Sequence, residues 1–192
     1  LGREESMNLI DWFQKGLTYE EYKAQMKVNL DEMNLIYEKF ELDEQQKSEL
    51  TALKGRTSKV IVLTEDWCGD ALMNNPILMK IAKELNLDVR FVLRDSNLEL
   101  MDQYLTNGTA RSIPIFVFID GEGNEKAVWG PRASEAQNLV DTLRSELPPK
   151  DAEDFEEKQK ELYKKIKQTY LEDQNLWHQV ANSIISKLKN EK

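Results

Sequence analysis

"KVIVLTEDWCGDA", residues 59–71, changes character halfway along. Val60, Ile61, Val62 and Leu63 form an unbroken apolar, mostly β-branched run. Such a run, with no polar alternation, is the pattern of a strand buried on both faces. Trp67-Cys68-Gly69 then opens a stretch of helical composition that extends to Leu85. A strand feeding straight into a helix puts Cys68, the chain's one cysteine, at or near a helix N-cap.

The same grammar continues downstream. "DVRFVLRD" (88–95) reads as a second strand, and "NLELMDQYL" (97–105) as a short helix stopped by Asn107-Gly108. "IPIFVFID" (113–120) reads as a third strand, 121–124 as a Gly-rich turn and "EKAVWG" (125–130) as a fourth strand. Ser134 is placed to cap a helix through about Leu143. Strand-helix-strand at the start predicts a parallel crossover, and the Gly-rich connection predicts a closing hairpin. The central α/β unit is therefore bounded at 57–147.

Two helical arms flank it. In the first (1–56), Thr18 and Glu21 form a capping-box pattern, followed by apolar residues at helical spacing from Tyr22 to Phe40, and Asp43 with Gln46 offers a second start. Leu1 is not an initiator, so Met7 is read as the native start and 1–6 as a vector remnant. In the second arm (148–192), Pro148 and Pro149 end the preceding helix, Asp151 is placed as a cap, and a break is expected near Asp173. These apolar stripes are packing surface, for the core or for a second copy of the chain; a homodimer through the arms is one expectation.

Composition narrows the partners. The chain has 192 residues, 35 acidic against 26 basic, and a net charge of −9. With no dense Lys/Arg stripe, nucleic acid and acidic membrane surfaces are discounted. No apolar run reaches the ~18 residues a membrane span needs, and nothing near the start reads as a signal peptide. One cysteine excludes Cys-cluster metal sites, and a single histidine, His178, argues against a His-based metal site or a Cys-His catalytic pair. No cofactor is expected, and the unpaired cysteine favours a cytoplasmic location.

At Cys68 two influences oppose each other. Helix-terminal amides favour the thiolate by about 0.3–1 kcal/mol, while Glu65, Asp66 and Asp70 disfavour it by a similar amount. The expected thiol is modestly reactive. Arg94 and Arg111 are candidate cations near Cys68, weighed against ordinary surface positions; Trp129-Gly130-Pro131-Arg132 follows the last strand towards the same end and is read as packing.

The central unit resembles thioredoxin. Trp67, Cys68 and Gly69 match that family's strand-to-helix motif, Pro76 its helix-kinking proline, and Asp95 the acid closing the next strand. Ile113-Pro114 matches its cis-proline segment, and Gly121 and Gly123 the following turn. The resemblance implies an α/β thioredoxin-like fold, here with N- and C-terminal helical extensions of a bacterial type. It also implies a groove lined by Trp67, Gly69, Asp70, Ile113 and a cis Pro114 beside Cys68. The departures bear on function. Ala71 stands where the family has its resolving cysteine, and Val62 where it has a buried acid. Two functions stay open: a monothiol thiol–disulfide oxidoreductase acting through Cys68 on a protein or low-molecular-weight thiol, and a non-catalytic binding module.

Overall fold

The computed structural model describes residues 7–191; residues 1–6, read above as a vector remnant, lie outside them. Four strands form one sheet: β1 (Lys59–Thr64), β2 (Asp88–Leu93), β3 (Ile115–Ile119) and β4 (Glu125–Trp129). Their order is β2-β1-β3-β4. β1 and β2 are parallel, whereas β1–β3 and β3–β4 are antiparallel. Both the crossover and the hairpin are where the strand spacing placed them.

The sheet is buried on both faces because its strands carry apolar residues in both phases of the pleat. Val60, Val62, Phe116 and Phe118 face one core. Ile61, Leu63, Ile115, Val117 and Ile119 face the other. Helix α5 (Gly69–Leu85) connects β1 to β2 and packs in the first core, with Leu72, Met73, Ile77, Leu78 and Ile81 buried. Helices α1 (Leu9–Lys15) and α6 (Leu98–Met101) supply Trp12, Phe13, Leu100 and Met101 to the second. Cys68 and Ala71 belong to this second core.

The first arm is a chain of short helices: α1, α2 (Tyr19–Gln25), α3 (Leu30–Lys39) and α4 (Glu44–Thr51). The expected capping box of Thr18 with Glu21 forms, and the second start, Asp43 with Gln46, is a capping box too. The run from Tyr22 to Phe40 breaks at Met26, and Asn29 turns the chain with a left-handed backbone (φ 67°), which Asn tolerates better than most residues. Ahead of α2, Leu17 pairs with Phe91 through two backbone hydrogen bonds of 2.7 and 2.8 Å, so the arm is stitched to the outer edge of β2.

Helix α7 (Ser134–Ser145) starts one residue earlier than a Ser134 cap implies, with Ala133 as its N-cap. Helix α8 (Phe155–Glu172) starts beyond Asp151, its N-cap being Asp154. Helix α9 (Gln174–Lys189) follows the expected break, where Asp173 accepts the Leu176 amide. Its stripe of Leu176, Trp177, Val180, Ile184 and Leu188 is buried against α5, α4, α7 and β4 of the same chain. Trp177 also donates its indole N–H to the Tyr170 carbonyl at 2.7 Å, which fixes α9 against α8. Among the described residues no helix is long and apolar enough to cross a membrane.

Candidate functional site

Cys68 is the N-cap of α5, as the strand-to-helix junction requires. Its Sγ accepts the Ala71 amide at 3.5 Å and donates to the Ile113 carbonyl at 3.4 Å. The residue is 8% exposed. Burial pushes the thiol from its usual 9.0 up to about 11; the Asp70 carboxylate adds to the rise, and the Ala71 and Asp70 amides and Arg132 oppose it. The expected balance between helix terminus and carboxylates is thus overtaken by desolvation, which a linear sequence does not display.

The carboxylates have other employment. Glu65 accepts the Asp95 amide at 3.0 Å. Asp66 accepts the Lys27 amide at 2.8 Å, while its carbonyl takes the Asn29 side-chain amide at 3.0 Å, so this loop holds the break between α2 and α3 in place. Asp70 is bound by Arg132 through Nε (3.0 Å) and Nη2 (3.0 Å) and accepts the Tyr170 hydroxyl at 2.7 Å. All three side chains are largely buried. Burial and the neighbouring Asp70 charge together push the Tyr170 hydroxyl far above its ordinary range.

Arg132 is therefore the cation beside Cys68. Arg111 is turned away onto Asp102, with contacts of 2.8 and 3.1 Å. Arg94 lies 4.9 Å from the Trp67 ring centroid and bonds Asp95 and the Arg111 carbonyl. His178 packs on Phe40 and hydrogen-bonds Gln46, as a packing histidine.

The expected groove residues divide. Trp67, Cys68, Gly69 and Asp70 line an open cleft of about 630 Å³, whose far wall is Val140 and Arg144 of α7 and Tyr163, Ile166 and Tyr170 of α8. Trp67 is 53% exposed, and the space a Gly69 side chain would fill is open. Ile113 and Pro114 are buried and are not on this cleft; Ile113 reaches Cys68 by its carbonyl. The Ile113–Pro114 bond is cis, and so is Gly130–Pro131. Both arms frame the cleft: Lys167 of α8 donates to Asn29, which in turn holds Asp66. Sequence reading missed Arg132 and Tyr170 as partners of Asp70. The one signal for Arg132 was its place just after the last strand; Tyr170 stood within an ordinary helical stripe.

A raised thiol pKa is also a statement about stability. Folded Cys68 keeps its proton while the unfolded thiol ionises near 9, so the associated stabilisation is complete below that pH and lost as pH rises towards 11. It amounts to about 2–3 kcal/mol. The gap in unfolding free energy between the wild type and Cys68→Ser should shrink by about that much from pH 8.5 to 11. A constant gap across the range would show that the thiol titrates alike in both states.

Among the described residues no group of three or more His, Cys, Asp or Glu is placed to hold a metal ion. No curated protein matches the chain. Two solved structures share the fold. One is an HIV epitope-scaffold, 14% identical, with a TM-score of 0.67, covering 95% of this chain and 98% of that one. The other is a protein of unknown function from Pseudomonas aeruginosa, 13% identical, with a TM-score of 0.67, covering 96% of this chain and 98% of that one. A family model described as thioredoxin matches residues 16–144, which takes in the strands, the Trp67-Cys68-Gly69 junction and α2 to α4 of the first arm. By that match over more than half its length, the chain belongs to the thioredoxin family.

Proposed function

We propose that this chain is a thioredoxin-fold binding protein that receives a ligand in the cleft at the N-terminal end of α5, with Cys68 as a resting, protonated thiol. One observation carries the reading: the thiol is buried and spends its proton on the Ile113 carbonyl while an open cleft of about 630 Å³ lies beside it. With a pKa near 11, roughly one thiol in ten thousand is ionised at pH 7. Nucleophilic thiols of oxidoreductases sit much lower. Ala71, itself buried, supplies no second sulfur.

A second reading is favoured by the placement of Cys68 on the cleft and at a helix N-cap. In it, the Cys68 thiolate attacks a disulfide R–S–S–R′. A Cys68–S–S–R bond forms as the S–S bond breaks, and R′S⁻ leaves and takes up a proton. An external thiol then attacks the mixed disulfide to free Cys68.

Alkylation by iodoacetamide separates the two. For the binding protein, folded Cys68 should label at least about 100-fold more slowly than the urea-unfolded chain at pH 8, with the rate still climbing beyond pH 9. A rate that levels off at or below pH 7, or capture of mixed disulfides at Cys68 from cell extract, overturns it in favour of the monothiol oxidoreductase.

A further inference from the structure

We infer that the cleft beside Cys68 takes a small organic carboxylate with an aromatic or aliphatic body; this rests on the binding reading above and names its ligand class. Size comes first: about 630 Å³ lies within the range of small-molecule sites, roughly 300–1,000 Å³. The walls are apolar and aromatic. Val140 and Ile166 line the inside, and Trp67 and Tyr163, each more than half exposed, stand on the lining as flat surfaces for a ligand body.

Charge then selects among ligands. The chain carries −9 overall, yet the cleft is lined by Arg132, Arg144 and Lys167 against a single carboxylate, Asp70. Arg132 already neutralises Asp70 and also bonds Gln137. Lys167 is shared between Asn29 at 3.0 Å and Glu32 at 3.6 Å. Arg144 has no ion-pair or hydrogen-bond partner for its guanidinium among the described residues. An unspent guanidinium on an apolar cleft matches a carboxylate, which it can grip through two parallel hydrogen bonds. A neutral or cationic ligand would leave it unused. A second depression, of about 660 Å³ between β4, α7 and α9, also holds Trp129, Arg132 and Lys187, but Gln179, Asn182, Ser183 and Ser186 make its walls more polar, and its tryptophan is buried.

The test uses the full chain and four probes: 1-naphthoate, decanoate and their uncharged amides. Trp67 fluorescence reports occupancy, since Trp12, Trp129 and Trp177 are each at most 4% exposed, and Trp67→Phe checks the assignment. Calorimetry gives the affinities. At least one acid should bind about tenfold or more tightly than its amide. Arg144→Gln should erase most of that preference and Arg144→Lys restore part of it; Arg144 is exposed, so neither change threatens the fold. Acid and amide binding equally at Trp67 would sink the carboxylate assignment and leave the cleft reading standing. If neither acid nor amide perturbs Trp67, both fail together.

Discussion

Gly130→Ala is expected to destabilise the chain by roughly 3–5 kcal/mol, visible as a large drop in the urea midpoint at constant slope. The added Cβ would lie 2.1 Å from the Pro114 carbonyl oxygen and 3.1 Å from both Cα and Cδ1 of Ile115. The main-chain oxygen cannot swing aside as a flexible side chain would. The backbone at Gly130 also holds φ at +133°, a conformation that L-residues rarely adopt. Gly108→Ala separates the two contributions. It too has positive φ, +73°, but nothing lies within 4 Å of its added Cβ, so it should lose only about 1 kcal/mol. Equal losses in the two variants would show that the contact at Pro114 yields. The effect at Gly130 should reach the cleft as well, because the next two residues hold it: Pro131 accepts the Asn74 side-chain amide at 2.9 Å, and Arg132 binds Asp70.

How far the site could be read from sequence depends on the range over which each interaction acts. The β1-to-α5 junction was legible because it is local: an apolar run, a capping position and a helical stretch follow one another within thirty residues. The sheet was legible because burial on both faces leaves continuous apolar runs. The cation beside Cys68 was not. Arg111 lies two residues before Ile113 and Arg94 directly follows β2, but Arg111 has Asp102 nine residues away and Arg94 has Asp95 adjacent. Asp70 instead draws partners 62 and 100 positions distant. No periodicity encodes such a pairing, since Tyr170 serves the helical stripe of α8 equally well whether or not its hydroxyl has a partner. The break at Met26 escaped for a related reason: the apolar spacing continues through it, and the group that fixes it, Asp66, belongs to the loop before Cys68. What the sequence showed as two arms attached to a domain is, in space, a frame around one helix terminus.

That frame makes Asp70→Asn the most informative single change at the site. The carboxylate holds Arg132 through two contacts and receives Tyr170, and both partners are mostly buried. Removing its charge leaves a guanidinium without its counter-charge in a desolvated setting. Breaking a buried pair in this way costs about 3–5 kcal/mol; here, with both side chains still 13–18% exposed, roughly 2–4 is expected. The Tyr170→Phe variant removes one hydroxyl and leaves the charge pair intact, so about 1 kcal/mol should be lost. The two changes part company at the thiol. Asp70 raises the Cys68 pKa and Arg132 lowers it, so Asp70→Asn removes the opposing charge and keeps the helpful one. Folded Cys68 in that variant should react with iodoacetamide about tenfold faster at pH 8, on the order of 1–2 kcal/mol of relieved repulsion. Tyr170→Phe should change that rate by less than about threefold. Circular dichroism and urea titration establish that each variant is folded under the labelling conditions. A folded Asp70→Asn protein that labels no faster than the wild type would mean that desolvation alone keeps the proton on Cys68 and that the Asp70–Arg132–Tyr170 cluster is only a clasp between α5 and α8. Faster labelling would show that one carboxylate, positioned by a residue from each side of the cleft, adds to burial in holding the thiol at rest.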